Sequence, residues 1–173
     1  PEQMGGSIQG GLLSLSTAVT TLAGTGSSGS ANGTGTSASF YNPFGITTDG
    51  TNLYVGDTNN HLIRQIVIST GVVTTVAGTG SSGSANGTGT SASFGEHRGI
   101  TTDGTNLYVA TNNNLIRQIV ISTGVVTTVA GTGSAGTADG TGTSASFTRP
   151  KGITTDGTNL YVADDDQSGL VRQ

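Results

Sequence analysis

An all-β fold of repeated four-stranded units is the architecture this sequence predicts, and three observations predict it. GITTDGTNLYV starts at Gly45, at Gly99 and again at Gly152, a period of about 53 residues. LIRQIVISTGVVTTVAGTGS spans Leu62 to Ser81 and returns unchanged over Leu115 to Ser134. Between the copies lie short β-branched or alternating segments bounded by Gly, Asn and Asp, and no segment carries a 3.6-residue apolar period. Self-similarity at a fixed interval marks repeat architectures, in which each unit buries its apolar face against the next.

The elements follow in order through the first unit. GITTD (45–49) reads as a strand, and the Asp-Gly of DGTN favours a tight reversal. NLYVGD (52–57) alternates Leu53 and Val55 on one face with Tyr54 on the other. TNNH turns the chain, LIRQIVIS (62–69) is apolar and β-branched, Thr70–Gly71 turns it again, and VVTTVAG (72–78) closes the unit. Four strands in about 53 residues match a β-propeller blade. A β-helix repeats at a shorter interval, and a β-sandwich does not repeat. The linker-like GTGSSGSANGTGTSASF (24–40) recurs letter for letter at 78–94, and a variant occupies 131–147. It sits at one phase of the repeat, so it is expected to be an ordered connection. Ala38 and Phe40, Ala92 and Phe94, and Ala145 and Phe147 would pin it to the core.

NPFGITTDGTNLYVGDTNNHLIRQI (42–66) resembles the NHL repeat, whose pattern is P-x-G-I-x-x-D, then N-L-Y-V-A-D, then N-H-x-I-R. The second copy departs from it, with GEHRGI for NPFGI, Thr111 where the first has Asp57, and one residue fewer in the following turn. The third reads VADDDQSGLVRQ and lacks the His. The resemblance implies propeller blades, six-bladed rings, and partners that are mostly protein or RNA, with a few enzymes.

Residues 1–11 read as a tail, and 12–173 as a half-propeller of three blades at about 20–73, 74–126 and 127–173. LLSLSTAVTTLAG (12–24) resembles the segment that would follow LVRQ (170–173). Residues 12–23 are therefore expected to complete a last blade and remove an open sheet edge. Propellers need roughly four to eight blades. The expectation is a homodimeric six-bladed ring closed by strand exchange through Leu13, Leu15, Val19, Leu22, Leu170 and Val171. A filament, or an excerpt of a longer array, is the rival; head-to-tail contacts close only when their rotation divides a full turn.

Composition narrows the function. Only 9% of residues are charged, the net charge is −4, and Lys and Arg number six. Phosphate backbones demand clustered cations, so nucleic acid and anionic membranes are disfavoured partners. There is no cysteine, which removes disulfides and thiolate metal sites. No run approaches the roughly 18 apolar residues of a membrane span. A Thr/Ser/Gly-rich, Lys-poor surface suits a secreted or cell-surface bacterial protein.

Arg64, Arg117 and Arg172 share one phase. They read as structural forks paired with Asp57, Asp164 or backbone carbonyls rather than as a cation ring. Asp49, Asp103 and Asp156 precede Gly and read as turn residues before they read as ligands of a hard ion. Asp164, Asp165 and Asp166 are the best candidate for a divalent cation. His61 and His97 are the only histidines, too few for zinc without carboxylates or a second chain. No G-x-S-x-G elbow occurs, and the Gly-rich stretches lack the Lys and helix of a phosphate loop. No cofactor is expected. The copies differ at 41–44, 95–98 and 148–151 and in the turns 57–61, 111–114 and 164–169. Tyr41, Asn42, Phe44, Glu96, His97, Arg98, Arg149 and Lys151 are therefore the candidate partner-binding residues. Near-identical units argue for a non-enzymatic scaffold that binds a protein or glycan, since catalysis needs different residues in defined roles. A propeller enzyme with a metal-assisted site at the ring centre, and a structural surface or filament subunit, are the alternatives.

Overall fold

The computed structural model describes residues 18–165 and 169–173. Leu13, Leu15 and Asp166 lie outside them. Three antiparallel sheets follow one another along the chain. The first contains β1 (Gly33–Thr34), β2 (Pro43–Thr48), β3 (Asn52–Asp57), β4 (Leu62–Val67) and β5 (Val72–Ala77), in the order β1-β5-β4-β3-β2. The second repeats this with β6 (Gly87–Thr88), β7 (His97–Thr102), β8 (Asn106–Thr111), β9 (Leu115–Val120) and β10 (Val125–Ala130), in the order β6-β10-β9-β8-β7. The third holds β11 (Pro150–Thr155), β12 (Leu160–Asp164) and β13 (Leu170–Arg172). The described residues contain no α-helix; single 3-10 turns occur at Thr58–Asn60, Gly35–Ser37, Gly89–Ser91 and Gly142–Ser144.

Two details differ from the expected strands. β2, β7 and β11 begin two residues early, at Pro43, His97 and Pro150, because a bulge carries the pairing past the preceding loop. The first two sheets also have five strands rather than four. The copied connection contributes β1 and β6, which pair Gly33 with Val73 and Gly87 with Val126.

The connection is ordered throughout. Ser39 N donates to Ala31 O at 3.0 Å, and Ala31 N donates to Ser39 Oγ at 2.9 Å. Gly35 N reaches back to Gly71 O at 2.9 Å, and Gly89 N to Gly124 O at 2.8 Å. Gly35 and Gly89 hold φ of 56° and 55°, where a side chain would meet its own backbone.

The sheets stack face to face, so both faces of β3 and β8 are covered and the alternation in NLYV does not separate core from solvent. Tyr54, Ile63 and Ala77 of the first sheet pack against Phe94, Ile100, Leu107, Val109, Ile119 and Val126 of the second. Ala110 and Ile116 meet Phe147 and Val162 of the third. Burying each large apolar side chain contributes about 1.5–3 kcal/mol. The inner strands β2, β7 and β11 run side by side. At Gly45 a Cβ would lie 3.1 Å from Ile100 Cγ2, and at Gly99 it would lie 3.2 Å from Ile153 Cγ2.

Candidate functional site

The repeated polar residues are consumed by the frame. Arg64 is fully buried. Its Nη1 donates to Ser39 O at 3.1 Å and to Asp57 Oδ2 at 2.9 Å, and its Nη2 donates to Ala31 O at 3.0 Å and Asn32 Oδ1 at 2.8 Å. The guanidinium lies 5.2 Å from the Phe40 ring centroid. Arg117 repeats the arrangement with Ser93 O, Ala85 O, Asn86 Oδ1 and the Phe94 ring. Arg172 repeats it with Ser146 O, Ala138 O, Asp139 Oδ1 and the Phe147 ring, and stands 3.7 Å from Asp164 Oδ2. Each Arg thus staples the copied connection to the third strand of its sheet. Arg117 alone lacks a carboxylate among the described residues, because Thr111 stands where the other units have Asp57 and Asp164. Burial accordingly lowers its pKa.

At one end of the sheets the DGTN turns are closed by their own aspartates. Asp49 accepts from Thr51 N, Asn52 N, Asn52 Nδ2 and Tyr54 OH at 2.7–3.1 Å. Burial works against its charge, yet these donors outweigh it and hold the carboxyl at about 2, as they do at Asp103. Burial, then the Asp49 carboxylate, pushes Tyr54 up to about 12. Asp156 makes the same bonds with Thr158, Asn159 and Tyr161.

The opposite end carries the residues that differ between copies. Phe44, Arg98 and Lys151 occupy equivalent positions at the starts of the three adjacent inner strands. Tyr41 and Phe44 are exposed, and Asn42 adopts φ 54°. Arg98 Nη2 lies 3.2 Å from Glu96 Oε2, and Lys151 Nζ pairs with Asp165 Oδ2. Arg98, Asn112, Arg149, Pro150 and Lys151 line a cavity of about 50 Å³. Asn112 was not singled out from the sequence. Its place in the turn after β8, one of the segments that differ between copies, is the signal that could have found it.

His97 corrects one expectation. It is not presented to a partner but buried, with its ring 5.3 Å from that of Phe94. Proline holds the equivalent position in the other two units, exposed at Pro43 and buried at Pro150, so the third unit buries an apolar group there. Neither ring nitrogen has a partner. Burial, and then His61, push its pKa down to about 3. A second correction concerns the acidic run. Asp164 turns inward to accept from Thr148 N and Arg149 N, while Asp165 turns outward to Lys151. Consecutive residues on an extended chain face opposite ways, so these two do not share an ion. Among the described residues no three His, Cys, Asp or Glu side chains converge on a metal position.

Two larger cavities flank the stack. One, about 520 Å³, lies beside β13 and is lined by Ile116, Phe147, Leu160, Val162 and Arg172 among others. The other, about 570 Å³, involves Ala23, Phe40 and Pro43. Val19, Leu22 and Val171 are exposed.

No family model matches the chain. Over 56 residues, 32% of its length, it is 45% identical to NHL repeat-containing protein 2 of Gallus gallus, of which it spans 8%. Its fold is similar to that of an auxiliary nutrient binding protein from Bacteroides thetaiotaomicron, with a TM-score of 0.66 and 21% identity over 78% of this chain and 37% of that one. A second auxiliary nutrient binding protein, from Bacteroides ovatus, gives 0.64 and 22% over 80% of this chain and 39% of that one. The chain therefore spans well under half of these relatives. The comparisons and the stacked antiparallel sheets together give an all-β, propeller-like fold, with similarity to an NHL-repeat protein over part of the chain.

Proposed function

We propose that this chain is a non-enzymatic binding module, a run of propeller blades whose repeated residues build a frame and whose variable rim contacts a protein or glycan. One observation carries the reading. The repeated Arg and turn Asp side chains are spent on internal hydrogen bonds, whereas Tyr41, Phe44, Arg98, Arg149 and Lys151 gather at one end with their polar or aromatic groups outward. Tyr and Arg are the residue types that dominate binding hot spots. Two structural relatives are described as nutrient-binding proteins, which agrees with this reading.

The finer reading is a homodimeric six-bladed ring in which residues 12–23 of each chain complete the third blade of the other. Val19 supports it. Its counterparts Val73 and Val126 are 0% and 1% exposed in the outer strands β5 and β10, while Val19 is 99% exposed. On the receiving side, β13 pairs only with β12 among the described residues. The first test is solution mass by light scattering. A species near twice 17.0 kDa that falls to the monomer in Val19→Asp supports the exchange. A wild-type monomer removes the shared ring, and very large rods replace it with a filament.

A further inference from the structure

The chain has six Lys and Arg residues. Arg64, Arg117 and Arg172 are the staples, each bonded to two backbone carbonyls of the connection. The other three, Arg98, Arg149 and Lys151, all line the 50 Å³ cavity between β7 and β11. Among the described residues none of these three side chains bonds to a backbone carbonyl, so the frame does not use them. Gathering like charges at one place disfavours the folded state, and an occupant of opposite charge reverses that.

We infer that this cavity receives one carboxylate from an acidic side chain of a protein partner, with Phe44 and Tyr41 meeting the apolar residues beside it. The inference rests on the reading of the rim as the binding face. The charge count limits the occupant. Glu96 offsets Arg98 and Asp165 offsets Lys151, while no carboxylate among the described residues lies within 4.0 Å of Arg149. Arg149 also helps to lower the Asp165 pKa, after Lys151, so among the described residues three cations face two carboxylates, an excess of one that matches one carboxylate rather than a dianion. A polyanion meets a chain of net charge −4, which repels it over the rest of the surface.

Size points the same way. The cavity is small, about 50 Å³, and has room for a carboxylate group. Arg guanidinium groups bind carboxylates through paired, parallel N–H donors. The walls are also fixed before any ligand arrives. Thr148 N and Arg149 N donate to buried Asp164, and Asp165 N donates to Arg149 O at 3.0 Å. Glu96 N donates to Asn112 Oδ1 and Asn112 N donates to Glu96 O, both at 2.9 Å. A loop held in place loses little entropy on binding. Because β2, β7 and β11 are adjacent, Phe44, Arg98 and Lys151 form a row in which an exposed aromatic ring precedes the cations.

The test is a titration of ¹⁵N-labelled protein, read by amide shifts, with three probes: N-acetyl-Phe-Glu-Leu amide, its Gln counterpart, and inorganic phosphate. The Glu peptide is expected to shift the amides of Arg98, Asn112, Arg149 and Lys151 and to saturate with Kd of about 1 mM, or about −4 kcal/mol. The Gln peptide should bind at least about tenfold more weakly. Arg149→Gln with Lys151→Gln should reduce Glu-peptide binding by about the same factor, and the unchanged remainder of the spectrum reports that the fold is kept. Equal shifts of the same amides by the Glu and Gln peptides would leave the rim reading in place and overturn the carboxylate. Shifts confined to the end bearing Asp49, Asp103 and Asp156 would overturn both. Tighter saturation by phosphate than by the Glu peptide would replace the carboxylate with a dianion, and no response at about 20 mM peptide also overturns the inference.

Discussion

Replacing Arg64 and Arg117 in turn with methionine separates the two kinds of staple. Both side chains are fully buried, and both bond to two carbonyls and an Asn side chain of the connection. Each Arg→Met change orphans the same pair of carbonyls, so that loss cancels in the comparison. The difference is Asp57. Without Arg64 it stays buried beside Tyr41 N and Asn60 Nδ2, with no cation to offset its charge. Breaking a buried ion pair from one side costs about 3–5 kcal/mol. Arg117 leaves no carboxylate behind, and its removal also relieves the desolvation that lowers its pKa. Arg64→Met should therefore be less stable than Arg117→Met by about 3 kcal/mol. At a urea slope of about 2 kcal/mol/M this separates the midpoints by about 1.5 M. Adding Asp57→Asn to Arg64→Met should recover most of the gap. Coincident midpoints for the two single variants would refute the assignment of the gap to the Asp57 charge.

The remaining predictions concern acid stability, turns and strand spacing. The folded state keeps His97 neutral to about pH 3, whereas an unfolded histidine protonates near 6.5. Its contribution is complete above about pH 6.5 and falls by up to about 1.4 kcal/mol per pH unit as pH drops toward 3. His97→Leu should flatten that slope in urea melts at stepped pH, and an unchanged slope would place the acid sensitivity elsewhere. Tyr54→Phe removes one hydrogen bond to Asp49 and should cost about 0.5–1.5 kcal/mol in thermal melts; no loss would mean the bond is formed equally in the unfolded chain. At Gly99 a Cβ would lie 2.2 Å from Lys151 O, whereas at Gly152 it meets only Ala163 Cβ at 3.6 Å. Gly99→Ala should be strongly destabilising and Gly152→Ala neutral in the isolated chain. Reduced self-association of Gly152→Ala, measured by light scattering, would mean that another blade seats there as closely as the third does on the second.

The strands were legible where turn chemistry and alternation agree. NLYVGD and NLYVAT, each set off by Asp-Gly, form β3 and β8 over the stretch expected for the first copy. The inner strands were misjudged at their starts because a bulge and a proline hide the first pair. β1 and β6 are Gly-Thr dipeptides with no strand propensity of their own; only the copying of the connection hinted that they are held. The partners of the Arg forks were half legible. Asp57 lies near Arg64 in sequence, but Ala31 and Asn32 come from more than thirty residues away, a closure that no local pattern encodes. His97 was misread because a polar residue in a variable loop suggests exposure. Pro150, buried at the equivalent position of the third unit, was the countervailing signal.

Identity between units restricts where recognition can reside. A residue repeated in every unit makes the same principal contacts each time, as the three Arg staples with their Phe rings and the three Asp–Tyr turns show, the missing carboxylate at Arg117 apart. Distinct chemistry has to come from the positions that differ, and the first and third units hold these on one shared backbone bond, although Asn42 has a positive φ and Arg149 does not. Tyr41 N donates to Asp57 as Thr148 N does to Asp164, although the side chains they carry are unrelated. The rim should therefore be exchangeable. A chain with Thr148→Tyr, Arg149→Asn and Lys151→Phe copies 41–44 onto 148–151, keeping Pro150 and the bond to Asp164. It should unfold within about 0.5 kcal/mol of the parent, the usual range for surface changes, while losing the Glu-peptide shifts. A loss of several kcal/mol would mean that the rim belongs to the frame, and the division between repeated scaffold and variable recognition surface would fall with it.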